Sequence, residues 1–436
     1  MFISFVKRSQ LLFLLSFTIP IGIGACLLKI PGVYKGSLSW LDSFYTSTSA
    51  VCVTGLSVVP TVGFSWIGQV IILLLIQLGG LGIVTMSASF LLFMGKHFSF
   101  DERLMMSTLN DDFPMRNAEM LIKLVATYTF VCEAIGWVII FIGCLLNNEP
   151  FFQSLWNSLF ISVASYCNAG FSPYPDSMIS AHWVSKMGSS FMILTGSLGV
   201  YVIYDIIQRL KKRRSFLTVN TKLVLLATGI LLVISTFTMH FKGDSSGELL
   251  SMVDSWYMSV SGCSAGFNSV DMESISDVAL ALIMFLMLVG GAPGSTAGGL
   301  KISTVAVAAA AIWSIIAGNR KTIVFKRHIP TDNVMRAFAV ITLFAILVVI
   351  GSVAVKLSAP DENLSLGRLL FEAVSAICTV GLSIGDTSVR METFGRIISM
   401  VLMYIGRIGP LTLLIFLLAR EKPGKTGYPE ERVIIG

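Results

Sequence analysis

Apolar positions in this chain fall in long unbroken windows, not in the one-in-three-or-four pattern of a soluble helix or the alternation of a half-buried strand. Eight windows approach the ~20 residues that a helix needs to cross a bilayer: 11–28, 66–94, 118–146, 187–204, 223–241, 278–316 (interrupted), 337–355 and 397–418. Four shorter apolar stretches lie between the members of each pair, at 40–51, 151–165, 249–262 and 364–377. They are too short to span. They read either as amphipathic surface helices or as half-height helices that dip into the membrane and return. Lys7 and Arg8 precede the first window, which is long and lacks a small-x-small cleavage site. It therefore reads as a retained span, not a signal peptide.

Composition agrees with this pattern. Of 436 residues, 54% are hydrophobic and 13% charged, with a mean hydropathy of +0.80; a soluble domain carries about 25% charged residues. With the N-terminus in the cytoplasm and one crossing per long window, 21 of the 31 Lys and Arg face the cytoplasm and eight face outward. Lys301 and Arg407 remain at membrane depth. Such asymmetry is the positive-inside pattern. The basic run 209–214 then reads as a topology anchor, and no nucleic acid is expected as a partner. The expected setting is the cell membrane, multi-pass, with both termini cytoplasmic.

The four short stretches end in related strings. Residues 49–57 read Ser-Ala-Val-Cys-Val-Thr-Gly-Leu-Ser, and 375–383 read Ser-Ala-Ile-Cys-Thr-Val-Gly-Leu-Ser. The others carry Cys167-Asn-Ala-Gly-Phe and Cys263-Ser-Ala-Gly-Phe. Each places a Cys three residues before a Gly: Cys52, Cys167, Cys263 and Cys378 before Gly55, Gly170, Gly266 and Gly381. A Gly-x-x-Gly follows in each next long window, at Gly79/Gly82, Gly196/Gly199, Gly291/Gly294 and Gly406/Gly409. The predicted unit is long helix, short helix, Gly-bearing loop, long helix, recurring about every 109 residues. The expected fold is an all-α integral membrane protein of four parallel units around one pseudo-fourfold pathway. Their bounds are 1–95, 96–210, 211–316 (with a broken second helix) and 317–420, ahead of a cytoplasmic tail at 421–436.

Non-helical backbone at membrane depth must be buried in protein or line water. Four converging loops can replace a cation's hydration shell with carbonyl oxygens. The expected ion-binding backbone is Val53, Thr54 and Gly55; Asn168, Ala169 and Gly170; Ser264, Ala265 and Gly266; Thr379, Val380 and Gly381. Short helices ending there would turn partially negative termini towards the ion. No carboxylate ring accompanies the glycines, which disfavours a divalent site. The competing reading has these glycines serving close helix packing alone.

Five Gly and one Pro within residues 290–304 cannot form a helix interior. The segment Gly290, Gly291, Ala292, Pro293, Gly294, Ser295, Thr296, Ala297, Gly298 and Gly299 is expected as a gate, or else as a passive kink. Lys301 closes it and would snorkel or bond loop carbonyls. Arg407 sits in an otherwise apolar window. It would repel the ion, hold the gate loop by its carbonyls, or pair with Glu133, which reads as the one mid-span carboxylate.

On these strings, and on 290–301 above all, the whole chain resembles the Trk/Ktr/HKT superfamily of potassium transporters, most closely the Ktr-type membrane subunit. The resemblance implies K⁺ as the ion, often with Na⁺ dependence, one filter Gly per unit, an intramembrane gate at 290–299 and an Arg beneath the filter. It also implies a homodimer touching through residues 428–436. A cytosolic nucleotide-binding, potassium-conductance-regulating ring would dock on the basic face and carry ATP or ADP. An H⁺-coupled or mainly Na⁺-conducting relative is the alternative, and a solute carrier with a midplane site a distant one. No cofactor of the chain itself is expected beyond the transported ion. Four scattered His offer no metal site, residues 424–426 lack the first Gly of a phosphate loop, and no acid–base set for an enzyme is visible.

Overall fold

The computed structural model describes residues 2–81, 118–212, 216–319, 321–357, 365–385 and 387–409. The far ends of the second and eighth windows, Gly82, most of the first basic loop and the 421–436 tail lie outside them.

The described helices follow one another in four series. The first series is α1 (Phe2–Leu28), α2 (Trp40–Val51) and α3 (Trp66–Gly80). The second is α4 (Ala118–Leu146), α5 (Phe151–Cys167) and α6 (Trp183–Ser197), followed by α7 (Val200–Leu210). The third is α8 (Val219–Lys242), α9 (Met252–Ser264) and α10 (Asp277–Val289), followed by α11 (Ile302–Ile316). A two-stranded hairpin, β1 (Ile323–Val324) and β2 (Arg327–His328), leads to the fourth: α12 (Thr331–Leu357), α13 (Leu366–Ile377), the single turn α14 (Thr387–Arg390) and α15 (Thr393–Ile408).

Among the described residues, Val125–Leu146, α8 and α12 are each long and apolar enough to cross a membrane alone. The window expected at 187–204 is not one straight helix: α6 and α7 meet at 93°. The break falls on Gly199, whose φ of +77° ends α6 and whose Cα lies against the Pro293 carbonyl. The second Gly of the motif also leaves the helical region at Gly294 (φ +70°) and at Gly409 (φ +91°). At Gly199 and Gly409 the motif thus ends a helix as well as packing it, whereas α10 has already ended at Val289 ahead of Gly291 and Gly294.

Three short helices begin on a serine cap. Ser39, Ser251 and Ser365 each accept a hydrogen bond from the backbone N–H three residues on, and Asp42 returns the bond to Ser39 in a capping box. Each short helix is packed by its own flanking pair: α2 by α1 and α3, α5 by α4 and α6, α9 by α8 and α10, α13 by α12 and α15. Neighbouring series meet in one manner throughout. The helix after each loop packs on the next short helix: α3 on α5, α6 on α9, α10 on α13, and α15 back on α2. That last contact closes the series into a ring. The outer faces of α4, α8 and α12 expose Phe130, Ile135, Ile234, Val349 and Ile350, as helices bordering hydrocarbon do.

Candidate ion site and gate

Three of the four loops open with one helix-ending device. Val53, Asn168 and Thr379 take positive φ (57°, 60° and 50°). The next N–H then reaches back to the carbonyl five residues earlier: Thr54 to Ser49, Ala169 to Ala164, and Val380 to Ser375, at 2.8–2.9 Å. The third loop differs. Its helix runs on to Ser264, and Gly266 N–H bonds the Ser261 carbonyl. In the first and last loops, Ser49 and Ser375 hydroxyls accept from the Gly55 and Gly381 N–H at 3.0 Å. With the N–H groups held from behind, carbonyls are left to face forward.

The four glycines meet. A methyl group on Gly55 would lie 2.6 Å from the Ala169 carbonyl oxygen and 2.8 Å from Gly170 Cα. One on Gly170 would lie 2.8 Å from the Ala265 oxygen and 3.2 Å from Gly55 Cα. One on Gly266 would strike the Val380 oxygen, and one on Gly381 the Thr54 oxygen. Each glycine therefore stands against the carbonyl of the residue before the next loop's glycine, in the cyclic order of the chain. Only glycine combines positive φ (67–96° at these four) with room for that approach.

The Gly-rich segment lies against this ring. Asn168 Nδ2 donates to Thr296 Oγ1 at 2.5 Å, and Thr296 Oγ1 donates to the Tyr166 carbonyl at 3.1 Å. Asn168 Oδ1 accepts from Ser264 at 3.3 Å and from Ser197 at 3.4 Å. Gly298 is pressed on the Cys378 carbonyl and the Thr379 hydroxyl. Backbone bonds tie Ala292 N to the Ser197 carbonyl (2.9 Å) and Thr296 N to the Gly196 carbonyl (3.2 Å). The segment thus touches residues of the second and fourth loops and the end of α6 at once. A cavity of about 240 Å³ borders it, lined also by Gly80, Gly196, Gly406 and Arg407.

Arg407, 5% exposed, does not pair with Glu133. Its Nη1 donates to the Thr296 carbonyl at 2.6 Å and its Nη2 to the Gly79 carbonyl. Of the partners open to it from sequence, Arg407 thus meets loop and helix carbonyls and not the carboxylate. Lys301 Nζ donates to the Ala297 carbonyl within the same segment. Glu133 instead lines a separate cavity between α3, α4 and α5. Nor is it alone among buried carboxylates. Glu372, on α13, is 1% exposed and accepts from Ser388, and Asp205, at the end of the bent pair, accepts from Thr218 N–H and hydroxyl at 2.8 and 3.0 Å.

Two inter-series struts escaped the sequence reading. Lys186 on α6 bonds Asp254 on α9 at 2.7 Å, and one turn on Ser189 meets the Tyr257 hydroxyl at 3.1 Å. Arg396 on α15 bonds Asp42 on α2 at 2.8 Å, and Ser399 meets the Tyr45 hydroxyl at 3.2 Å. The signal was present: a basic-x-x-Ser on one helix and an Asp-x-x-Tyr on its neighbour, three residues apart in both. The α3–α5 contact carries a different bond, Trp156 Nε1 to Gln69 at 2.6 Å. Cys52, Cys167 and Cys378 are fully buried, and Cys167 packs on Gly80.

Residues 21–424 match the family described as TrkH, cation transport protein. The chain is 35% identical over 436 residues to a Ktr system potassium uptake protein B of Vibrio alginolyticus, covering 97% of this chain and 94% of that one. It is 31% identical to the protein of the same description in Bacillus subtilis (97% and 95%) and 31% identical to a potassium/sodium uptake protein NtpJ of Enterococcus hirae (96% and 95%). Its fold superimposes with a TM-score of 0.71 on the crystal structure of the potassium transporter TrkH from Vibrio parahaemolyticus, at 17% identity, over 94% of this chain and 85% of that chain. The ring of loops, the segment beneath it and the near-full-length match agree: this chain belongs to the TrkH family of cation transport proteins, membrane transporters and not enzymes.

Proposed function

We propose that the chain is the ion-translocating subunit of a potassium uptake system. It crosses the cell membrane eight times as four parallel units around one pseudo-fourfold pathway, with loops on the outer face and both termini in the cytoplasm. The ion sheds its water onto carbonyls of residues 53–55, 168–170, 264–266 and 379–381. The single observation behind this reading is the closed ring in which each loop's glycine abuts the next loop's carbonyl. Carbonyl oxygens supply a neutral field suited to a monovalent cation. The helices ending at the ring add partial negative charge. Inward movement draws on the membrane potential, about 2.3 kcal/mol per charge per 100 mV.

Residues 290–299, held by Arg407, Asn168 and Lys301, form the gate. Its contacts on two of the loops support this, because conduction needs those contacts to part. The names of the Ktr relatives support K⁺ as the ion and a system of more than one component; a homodimer and a cytosolic nucleotide-binding partner that carries ATP or ADP complete the proposal. The potassium/sodium name of the Enterococcus relative favours Na⁺ as a second, coupled or conducted ion. Purified protein in liposomes, with uptake driven by K⁺, Rb⁺ or Na⁺ gradients, is the test. K⁺ and Rb⁺ uptake well above Na⁺ is expected. Uptake of Na⁺ alone would replace the ion named here, and no uptake of any of them by folded protein would overturn the reading.

A further inference from the structure

The seam between α3, α4 and α5 holds a second cavity, of about 320 Å³. Leu74, Phe130, Trp137 and Leu159 contribute to its walls. Leu74 and Phe130 are 60% and 61% exposed, so the mouth opens on the lipid-facing side. Only Gln77 and Glu133 bring polar side chains, and no basic residue lines it. Glu133 is 6% exposed; its Oε1 and the Gln77 Nε2 make no hydrogen bond of ordinary length, and Gln77 is the one polar side chain near enough to act on the carboxyl. Arg407, the nearest expected partner, is committed to two carbonyls elsewhere.

An unpaired carboxylate at membrane depth costs several kcal/mol unless it takes up a proton or a positive group meets it. The lipid-facing mouth excludes a hydrated metal ion or a polar solute as that group. Apolar walls accept an alkyl body, and the Phe130 and Trp137 rings suit an ammonium head. The volume lies in the range of small-ligand pockets. We propose that this cavity binds an amphipathic organic monocation, an alkylammonium that arrives through the hydrocarbon and sets its nitrogen on Glu133. Gln77 connects the site to the filter, because its Oε1 accepts from Cys167 Sγ at 3.6 Å and Cys167 directly precedes Asn168. A bound ammonium therefore acts on the second loop without entering the ion path.

The test uses the full chain in phosphatidylcholine nanodiscs, with a chain-brominated dodecyltrimethylammonium as quencher of Trp137 fluorescence. Saturable quenching is expected in the parent chain and lost in Trp137→Phe. Glu133→Gln is expected to weaken it at least ten-fold, and Ala134→Phe, which fills the exposed mouth, to abolish it. The matching brominated dodecanol should not saturate. Equal quenching by the alcohol, or equal affinity in folded Glu133→Gln, would reduce the cavity to a lipid crevice and overturn the proposal. Should Glu133→Gln fail to fold, retained saturable binding in Ala134→Phe overturns it. A disulfide between two Ala134→Cys copies would assign the cavity to a second copy instead and equally overturn it. These readouts do not depend on ion flux, so they stand apart from the transport reading.

Discussion

Replacing Arg407 by Gln tests the gate most directly. In the structure its guanidinium bridges the Thr296 carbonyl of the Gly-rich segment and the Gly79 carbonyl of α3. Gln is shorter and offers one amide group, so at least the bond to Thr296 is lost. A hydrogen bond from a charged donor is worth about 1.5–3 kcal/mol. At about 1.4 kcal/mol per factor of ten, the seated segment loses about 10- to 150-fold in population relative to the displaced one. Rb⁺ uptake into proteoliposomes at fixed potential should rise within that range. Arg407→Lys separates the two remaining explanations. Lys keeps the positive charge but cannot span both carbonyls, so under the clamp reading it behaves as Gln does. Were the charge itself the barrier, Lys would behave as Arg. Unchanged or reduced uptake by Arg407→Gln of unaltered thermal stability would refute the reasoning.

Thr296→Val removes the hydroxyl that joins Asn168 to the Tyr166 carbonyl, and should raise Rb⁺ uptake several-fold, about the worth of one neutral hydrogen bond; lowered uptake in the same assay would contradict this. Gly266→Ala forces a methyl group onto the Val380 carbonyl at a φ of +77°, and should cut K⁺ uptake by at least about ten-fold or erase discrimination against Na⁺, while the protein stays monodisperse on size exclusion. Lys186→Met leaves Asp254 without its 2.7 Å partner, and should lower stability by about 1.5–3 kcal/mol in a thermal unfolding assay, with part of the loss restored by adding Asp254→Leu. The exposed Arg368–Glu273 pair at 3.7 Å is the control: Glu273→Gln should shift the transition little, since such pairs contribute about 0–1 kcal/mol.

Among their shared features, the struts divide the ring unequally. The α15–α2 and α6–α9 contacts each carry an ion pair and a Ser–Tyr bond, whereas α3–α5 carries the Gln69–Trp156 bond. Fourfold in outline, the assembly is closer to twofold in its polar bonding. The loops follow a different pairing: the Ser49 and Ser375 backing bonds match in the neighbouring first and last loops, while Ala164 occupies that place in the second.

The chain by itself determined which stretches are apolar enough for lipid, where the short helices lie to within three residues, and which glycines recur. Those are local facts: hydrophobic length, serine caps, and the φ that only glycine holds easily. The bend at Gly199, the partners of Arg407 and the burial of Glu372 were decided by the tertiary structure. Arg407 could have met Glu133, yet it bonds carbonyls 111 and 328 residues away, because those backbone groups are what the closed ring brings within reach. Gly199 reads only as the second Gly of a recurring Gly-x-x-Gly until the Pro293 carbonyl arrives beside it and α6 must end. Spacing along a chain specifies periodicity, but which donor meets which acceptor is set only when four series close on one another.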